Sequence, residues 1–260
     1  IYIATPPDSH ANYAIAAMQA GKPVYVEKPM ARAYAECVEM LAASRSTGMP
    51  LWVAYYRRAL PAFLRAKELL GTGEIGWPVN IRVTLHWAAK EKGQSKQDMN
   101  WRVSPEVAGA GHFFDLASHQ FDYLDFVFGK VTGITGSASN LGGLYEAEDT
   151  VTASWLHASG ITGNGSWSFI ADEDAETDEI EITGDKGSIV LSCFDKPDVL
   201  KLVKDEQESV MQFENPEHIS QHLVQQVVDE LRGVGECVST GASAARTNWV
   251  LEDVVKDYYS

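Results

Sequence analysis

The stretches IYIATPPDSH (residues 1–10) and KPVYVEKP (residues 22–29) decide how the chain begins. Ile1-Tyr2-Ile3-Ala4 is a short apolar run stopped by Thr5-Pro6-Pro7, and Val24-Tyr25-Val26 is a second one stopped by Glu27-Lys28-Pro29. Such runs, rich in β-branched and aromatic residues, read as buried strands. Between them Asp8 or Ser9 can cap a helix with Ala14, Ile15 and Met18 on one face and Gly21 past its end. YAECVEMLAASRSTG (34–48) is a second helix stopped by Gly48, and PLWVAYYRR (50–58) reads as a third strand. Strand–helix–strand–helix–strand at this spacing predicts a parallel sheet. Ligands of such sheets sit beyond the carboxyl ends of the strands. Here those ends carry Thr5-Pro6-Pro7, Glu27-Lys28-Pro29 and Tyr55-Tyr56-Arg57.

After a helix spanning Pro61 to Gly73 the texture changes. VNIRVTLHW (79–87), VTGITGSASN (131–140), TVTASWLHA (150–158), ITGNGSWSF (161–169), DEIEITGDKGSIVLS (178–192) and LKLVKD (200–205) alternate apolar and polar residues. That pattern predicts antiparallel strands with one covered face. Asp185-Lys186-Gly187 marks a turn among them. Phe113–Phe128 and two C-terminal segments, 218–233 and 243–259, read as helices, and the acidic run Asp172–Asp178 as a solvated loop. The expected fold is therefore part of a doubly wound α/β sheet over residues 1–58. An α+β unit with a large open, mainly antiparallel sheet follows over 59–260, its last helix packing back on the first unit.

Composition excludes some partners. With 36 acidic against 21 basic side chains and a formal charge of −15, the surface lacks the Lys and Arg excess that nucleic acid or anionic membrane requires. No run of about 18 apolar residues predicts a membrane span. Cys37, Cys193 and Cys237 are widely spaced and odd in number, which fits a reduced, cytoplasmic compartment. The first residues already read as a strand, without initiator Met or signal pattern, so the chain is expected to lack upstream sequence.

Two constellations can carry chemistry. Lys28 ends a strand and is followed by Pro29, which fixes the turn; its ammonium would lie near the cleft, held by Glu27 or by a cofactor ribose. The plain alternative is a surface lysine. In GAGHFFDLASHQFD (109–122), Asp115 and His119 are four apart and share a helix face, a stripe that His112 and Asp122 extend. The preceding glycines suit a close backbone approach to a ligand at a helix N-terminus. A carboxylate that fixes a histidine tautomer makes a reversible proton acceptor for an alcohol oxygen. The same stripe also reads as a metal site or as a satisfied, partly buried polar face. Trp101-Arg102 can set a cation beside a ligand anion. Tyr56 and Arg57 close the third strand near a cofactor, whereas Arg246 and Trp249 read equally well as a helix surface with an aromatic anchor.

ATPPDSH (4–10), EKP (27–29), GAGHFFDLASHQFD (109–122), NPEHISQHLVQQVVDEL (215–231) and STGASAARTNWVLEDV (239–254) together resemble the glucose–fructose oxidoreductase, inositol dehydrogenase and rhizopine-catabolism (Gfo/Idh/MocA) family across essentially the whole chain. The resemblance implies an NAD- or NADP-dependent oxidoreductase acting on a sugar, cyclitol or polyol. It also implies a homodimer or homotetramer formed through the C-terminal sheet. Lys28 would contact the reacting hydroxyl and the nicotinamide, with Asp115 beside it and His119 as the general acid/base. Thr5, Pro6, His10, Glu27, Lys28, Arg57, Trp101 and Arg102 would line the cofactor path, with no metal. Specificity would come from the loop 88–100, from Phe113-Phe114 and from 140–148. The family's G-x-G-x-x-G turn has no counterpart here, since GVGEC (233–237) sits in the wrong context. The polypeptide as written is thus expected to bind cofactor poorly and to expose one strand edge. The competing classes are a non-catalytic scaffold of the same fold and a metal-dependent lyase using the His/Asp stripe.

Overall fold

The computed structural model describes residues 1–90 and 99–260. Most of the loop 88–100 expected to shape specificity therefore lies outside the described residues.

The opening segments form a parallel ladder of β1 (Tyr2–Ile3), β2 (Val24–Val26) and β3 (Leu51–Val53), in that order, with Tyr2 opposite Tyr25 and Val24 opposite Leu51. Every residue of β2 and β3 is buried, which is why these strands read as unbroken apolar runs. Helices α1 (His10–Gln19) and α2 (Tyr34–Thr47) connect them. The chain leaves them at Gly21 and Gly48, both at φ +71°, a conformation that glycine adopts without a Cβ clash.

Two local expectations change. Ser9 occupies the position before α1, but its hydroxyl donates to Thr5 Oγ1 (2.6 Å) and Pro6 O (3.1 Å). A 3-10 turn over Pro7–Ser9 leads into the helix and leaves no side-chain cap. The third strand stops at Val53, because Tyr56–Ala59 curls into another 3-10 turn that sends Arg57 and Arg58 into the interior.

Beyond α3 (Pro61–Gly71) lie β4 (Pro78–Ala88), α4 (Pro105–Ala108), α5 (His112–Phe128), β5 (Val131–Ser139), β6 (Thr150–His157), β7 (Thr162–Ala171), β8 (Thr177–Gly184), β9 (Gly187–Leu191), β10 (Val199–Lys204), β11 (Gln207–Gln212), α6 (Gln221–Leu231) and α7 (Gly241–Val255). The eight strands form one sheet in the order β11-β10-β9-β8-β4-β7-β6-β5. Its neighbours are antiparallel except β4 and β7. Consecutive strands β7 and β8 flank β4 running in opposite directions, so one of them must lie parallel to it. β11 was not among the expected strands. Asp178, counted in the solvated acidic run, belongs to β8 and accepts from Ser192 Oγ, Phe194 N and Asp195 N at 2.5–3.0 Å.

One face of this sheet is covered. Val151, Ala153 and Trp155 of β6 are buried while Thr152, Ser154 and Leu156 are exposed. Against the covered face α5 sets Phe113 and Phe121, each 5.0 Å edge-on from a tryptophan ring, Trp167 and Trp155 respectively. Such aromatic pairs add about 0.5–1.5 kcal/mol beyond area burial. Gly136 of β5 lets α7 lie directly on the sheet, since a Cβ there would stand 2.6 Å from Val254 O.

The two sheets share helices. Leu223 and Val227 of α6 pack on Tyr25 and Trp52 from one face of the small sheet, and Ala244 and Ala245 of α7 complete its core on the other. Ser239 Oγ donates to Val53 O (2.7 Å) just before α7 starts. The last helix thus touches both sheets.

Candidate active site

Lys28 leaves the carboxyl end of β2, and the Lys28–Pro29 peptide is cis. Its ammonium donates to the Asp115 carboxylate and to the Asp115 carbonyl (3.0 Å) in the first turn of α5. The other carboxylate oxygen lies 3.2 Å from Arg102 Nε, whose guanidinium sits 4.3 Å over the Trp101 ring. Burial works to raise the Asp115 carboxyl, but Lys28, Arg102 and His112 outweigh it and hold it below the ordinary carboxylate range. Glu27, one of the expected partners of Lys28, instead accepts from Tyr2 Oη (2.5 Å) and from the Lys28 N–H (3.3 Å).

His119 follows one turn later and is 3% exposed. Tyr55, Tyr56 and Phe194 ring it edge-on at 5.9, 5.4 and 5.8 Å. Burial first, then the charges of Arg57 and Lys28, push its imidazole well below 6.5, so it is neutral at physiological pH. Its Nδ1 is buried without a hydrogen-bond partner. The expected Asp115–His119 bond is therefore absent: the carboxylate turns to two cations rather than to a neutral ring.

The Lys28 turn is clasped from several sides. His10 is fully buried, with Nδ1 3.1 Å from Pro29 O and Nε2 2.8 Å from Thr5 O, and so straps the first two strand ends together. Asn248 Nδ2 donates to Ala31 O (2.7 Å) and Arg32 Nη1 to Glu106 O (3.0 Å). Gly109 sits at φ +93°, where a Cβ would stand 2.4 Å from Arg32 O. Gly109→Ala combines a disfavoured φ with a backbone clash. It is expected to destabilise the chain by about 2 kcal/mol or more, read as a lowered urea midpoint.

Other expected site residues are dispersed. Thr5 and Pro6 are exposed at the end of β1, but Arg57 is buried and donates to Cys193 O (2.9 and 2.5 Å) between the rings of Tyr56 and Phe194. Asp122 leaves the histidine stripe for Arg58, and Phe113 and Phe114 are core residues. Among the described residues no three His, Cys, Asp or Glu side chains converge as a metal cage, and no helix is long and apolar enough to cross a membrane.

Glu148 is the residue that sequence reasoning under-read. It is fully buried and takes the Gly111 N–H on both carboxylate oxygens (3.0 Å each), directly before α5, while Tyr259 Oη donates to it at 2.5 Å. Its only sequence signal is an acidic pair, Glu148-Asp149, set before a strand. Burial pushes its carboxyl from 4.5 up to about 7. Between those values the folded chain keeps a proton that the unfolded chain has released, so this group's contribution is full below 4.5 and is lost as pH rises through about 7. Glu148→Gln should flatten that fall, which is at most about 1.4 kcal/mol per pH unit. Denaturation midpoints of both proteins at several pH values across the window measure it.

In front of this cluster opens a cavity of about 240 Å³, walled by Trp87, Arg102, His112, Asp115 and Phe169. The second strand of the small parallel sheet thus delivers Lys28 to the start of α5, which leans on the large open sheet. Residues 1–55 match the oxidoreductase family with NAD-binding Rossmann fold, and residues 63–190 match the GFO/IDH/MocA C-terminal domain. Oxidoreductase P35 of Formosa agariphila is 34% identical over 228 residues, which is 88% of this chain and 69% of that protein. The chain belongs to the Gfo/Idh/MocA oxidoreductase family, as its motifs suggested.

Levoglucosan dehydrogenase of Pseudarthrobacter phenanthrenivorans is 29% identical over 225 residues (77% of this chain, 56% of that protein), and D-apiose dehydrogenase of Paraburkholderia graminis is 31% identical over 195 (74% and 50%). The chain thus spans about half the length of these two relatives. In fold it matches the structure of levoglucosan dehydrogenase in complex with NADH, with a TM-score of 0.87 at 23% identity over 99% of this chain and 77% of that one.

Proposed function

We propose that this chain carries the catalytic residues of an NAD- or NADP-dependent dehydrogenase that oxidises a secondary hydroxyl of a sugar, cyclitol or related polyol. The observation that carries the reading is the convergence of the Lys28 ammonium, the ionised Asp115 and the neutral His119 at the carboxyl end of a parallel sheet. His119 takes the hydroxyl proton. Lys28 donates to the same oxygen as it becomes a carbonyl, and Asp115 keeps that ammonium aimed. When bound, a nicotinamide would supply the hydride acceptor for the carbon. Thr5, Pro6, Glu27, Lys28, Trp101 and Arg102 would hold the cofactor; the uncompensated buried Nδ1 of His119 fits a site completed by bound groups.

The substrate class is supported by relatives named levoglucosan dehydrogenase, D-apiose dehydrogenase and 1,5-anhydro-D-fructose reductase. Self-association through the uncovered face of the eight-stranded sheet is part of the proposal. It is supported by exposed Leu156 on β6 and Val210 on β11, and light scattering tests it. Three buried, unbridged cysteines support a reducing, cytoplasmic setting. Titrating the protein with NADH and NADPH, then assaying a polyol panel, tests the reaction. Absence of nicotinamide binding would leave only the scaffold role.

A further inference from the structure

The helix that carries Asp115 starts without a cap of its own. Gly111 stands just before α5 with no side chain to offer, and Phe114 fills the place from which a Glu or Gln could reach back. In a capping box that Glu would take the backbone N–H of the residue before the helix. Here Glu148 takes it from 37 positions away, with both carboxylate oxygens 3.0 Å from Gly111 N. The approach is close, since a Cβ on residue 111 would stand 2.7 Å from Glu148 O.

Glu148 is anchored apart from the helix it holds. Its loop is tied across itself: Asn140 Nδ2 donates to Tyr145 O (2.5 Å) and Ala147 O (2.8 Å), and Asp149 takes the N–H groups of Leu141 and Gly142 at 2.9 and 2.7 Å. Beyond α7, Tyr258 Oη donates to Glu146 O (2.9 Å) and Tyr259 Oη to Glu148 (2.5 Å). Their rings meet edge-on at 4.9 Å. The same helix reaches the other half of the site, because Asn248 of α7 donates to Ala31 O just past the Lys28 turn. One element therefore braces both the segment that delivers Lys28 and the segment that presents Asp115. Asp115 meets the ammonium through its carbonyl and its carboxylate, so a shift of the first turn of α5 moves both acceptors at once.

We propose that Glu148 and Tyr259 are positioning residues of the reaction, which fix the start of α5 and with it the grip of Asp115 on Lys28. The inference rests on the roles given to Lys28 and Asp115 above. Tyr259 and, on α5, His112 are the side chains that favour the Glu148 anion, whereas Asp149 beside it is turned to its own loop. Burial outweighs them and pushes the carboxyl up to about 7. Both of its oxygens face donors, so a protonated carboxyl would set its own O–H against one of them. The ionised form, present above about 7, is the one that holds Gly111, although ionisation lowers the stability of the fold.

The protein and its Glu148→Gln and Tyr259→Phe variants are assayed with NAD and NADP on a polyol panel at pH values on both sides of 7. The parent's kcat should rise through about pH 7. Glu148→Gln should lose that rise and run about tenfold below the parent's upper plateau with KM changed less than about twofold, because misalignment lowers the rate more than binding. Tyr259→Phe removes a donor to the anion and should move the rise to higher pH, which a residue that only stabilises the fold would not do. Two readouts need no turnover: acetylation of Lys28 by acetic anhydride and hydrogen exchange of residues 111–116, both followed by mass spectrometry. Each should quicken at least about threefold in either variant, while the strands of the large sheet exchange as in the parent. If Glu148→Gln loosens those strands as well, Tyr259→Phe decides, since it loses one hydroxyl from a side chain at the surface. A parent that turns over no polyol would sink the dehydrogenase reading, and the two readouts would then decide the brace alone. Parental rates in both of them, or a parental pH profile in both variants, would overturn it.

Discussion

His119→Ala is expected to lower dehydrogenase turnover by about 10²–10⁴-fold, the range removed with a positioned general acid–base group. The side chain is 3% exposed and walled by three aromatic rings, so water cannot readily substitute for it. Lys28→Met should fall in the same range and for a related reason: it removes the donor to the reacting oxygen and leaves Asp115 with Arg102 as its remaining cation. Because both act on one oxygen, the double variant should be little worse than the worse single. Steady-state kcat and KM for the three variants decide the matter. The imidazole sits well below 6.5, so the pH profile of kcat/KM should show no limb near that value from this group. Retention of a tenth of parental turnover by either single variant would remove these residues from the mechanism.

Asp122→Ala is expected to destabilise the fold by about 3–5 kcal/mol, a large share of a domain's total. Asp122 and Arg58 are 1% and 4% exposed in their side chains and bonded through two pairs, at 2.7 and 2.8 Å. Arg58 also reaches Val238 O, and Asp125 beside it binds Arg246 of α7 at 2.8 and 2.6 Å. Truncating Asp122 therefore strands a guanidinium in the interior with Asp125 at 3.6 Å as its nearest carboxylate. Replacing both partners, as in Arg58→Met with Asp122→Leu, should lose much less, because no charge is left uncompensated. Urea unfolding of the two variants separates the cases. Equal losses would mean that side-chain packing, not the stranded charge, sets the effect.

The sequence made the small sheet and the Asp115/His119 helix legible because both are written locally. Proline stops, glycine exits and a four-residue spacing between Asp115 and His119 need no knowledge of distant chain. Partner choice was not local. Adjacency on one helix face placed Asp115 near His119, yet a lysine 87 residues away competes better for the carboxylate. Arg57 and Arg58 look like a charged strand end, and their burial depends on Cys193, Asp122 and Val238, which lie far along the chain. Glu148 could not be singled out for the same reason: its donors come from residues 111 and 259. The parallel pairing of β4 with β7 follows from strand order, which alternation of apolar residues does not encode.

The return of α7 to the first sheet bears on how the chain comes to fold. Ala244 and Ala245 fill a core otherwise made by residues 3–55, and Asn248 bonds Ala31 across 217 positions. During synthesis the residue 3–55 core stays unsealed on one side until α7 has been added. Such long-range closure slows folding and lengthens the time that apolar strands stay open to wrong partners.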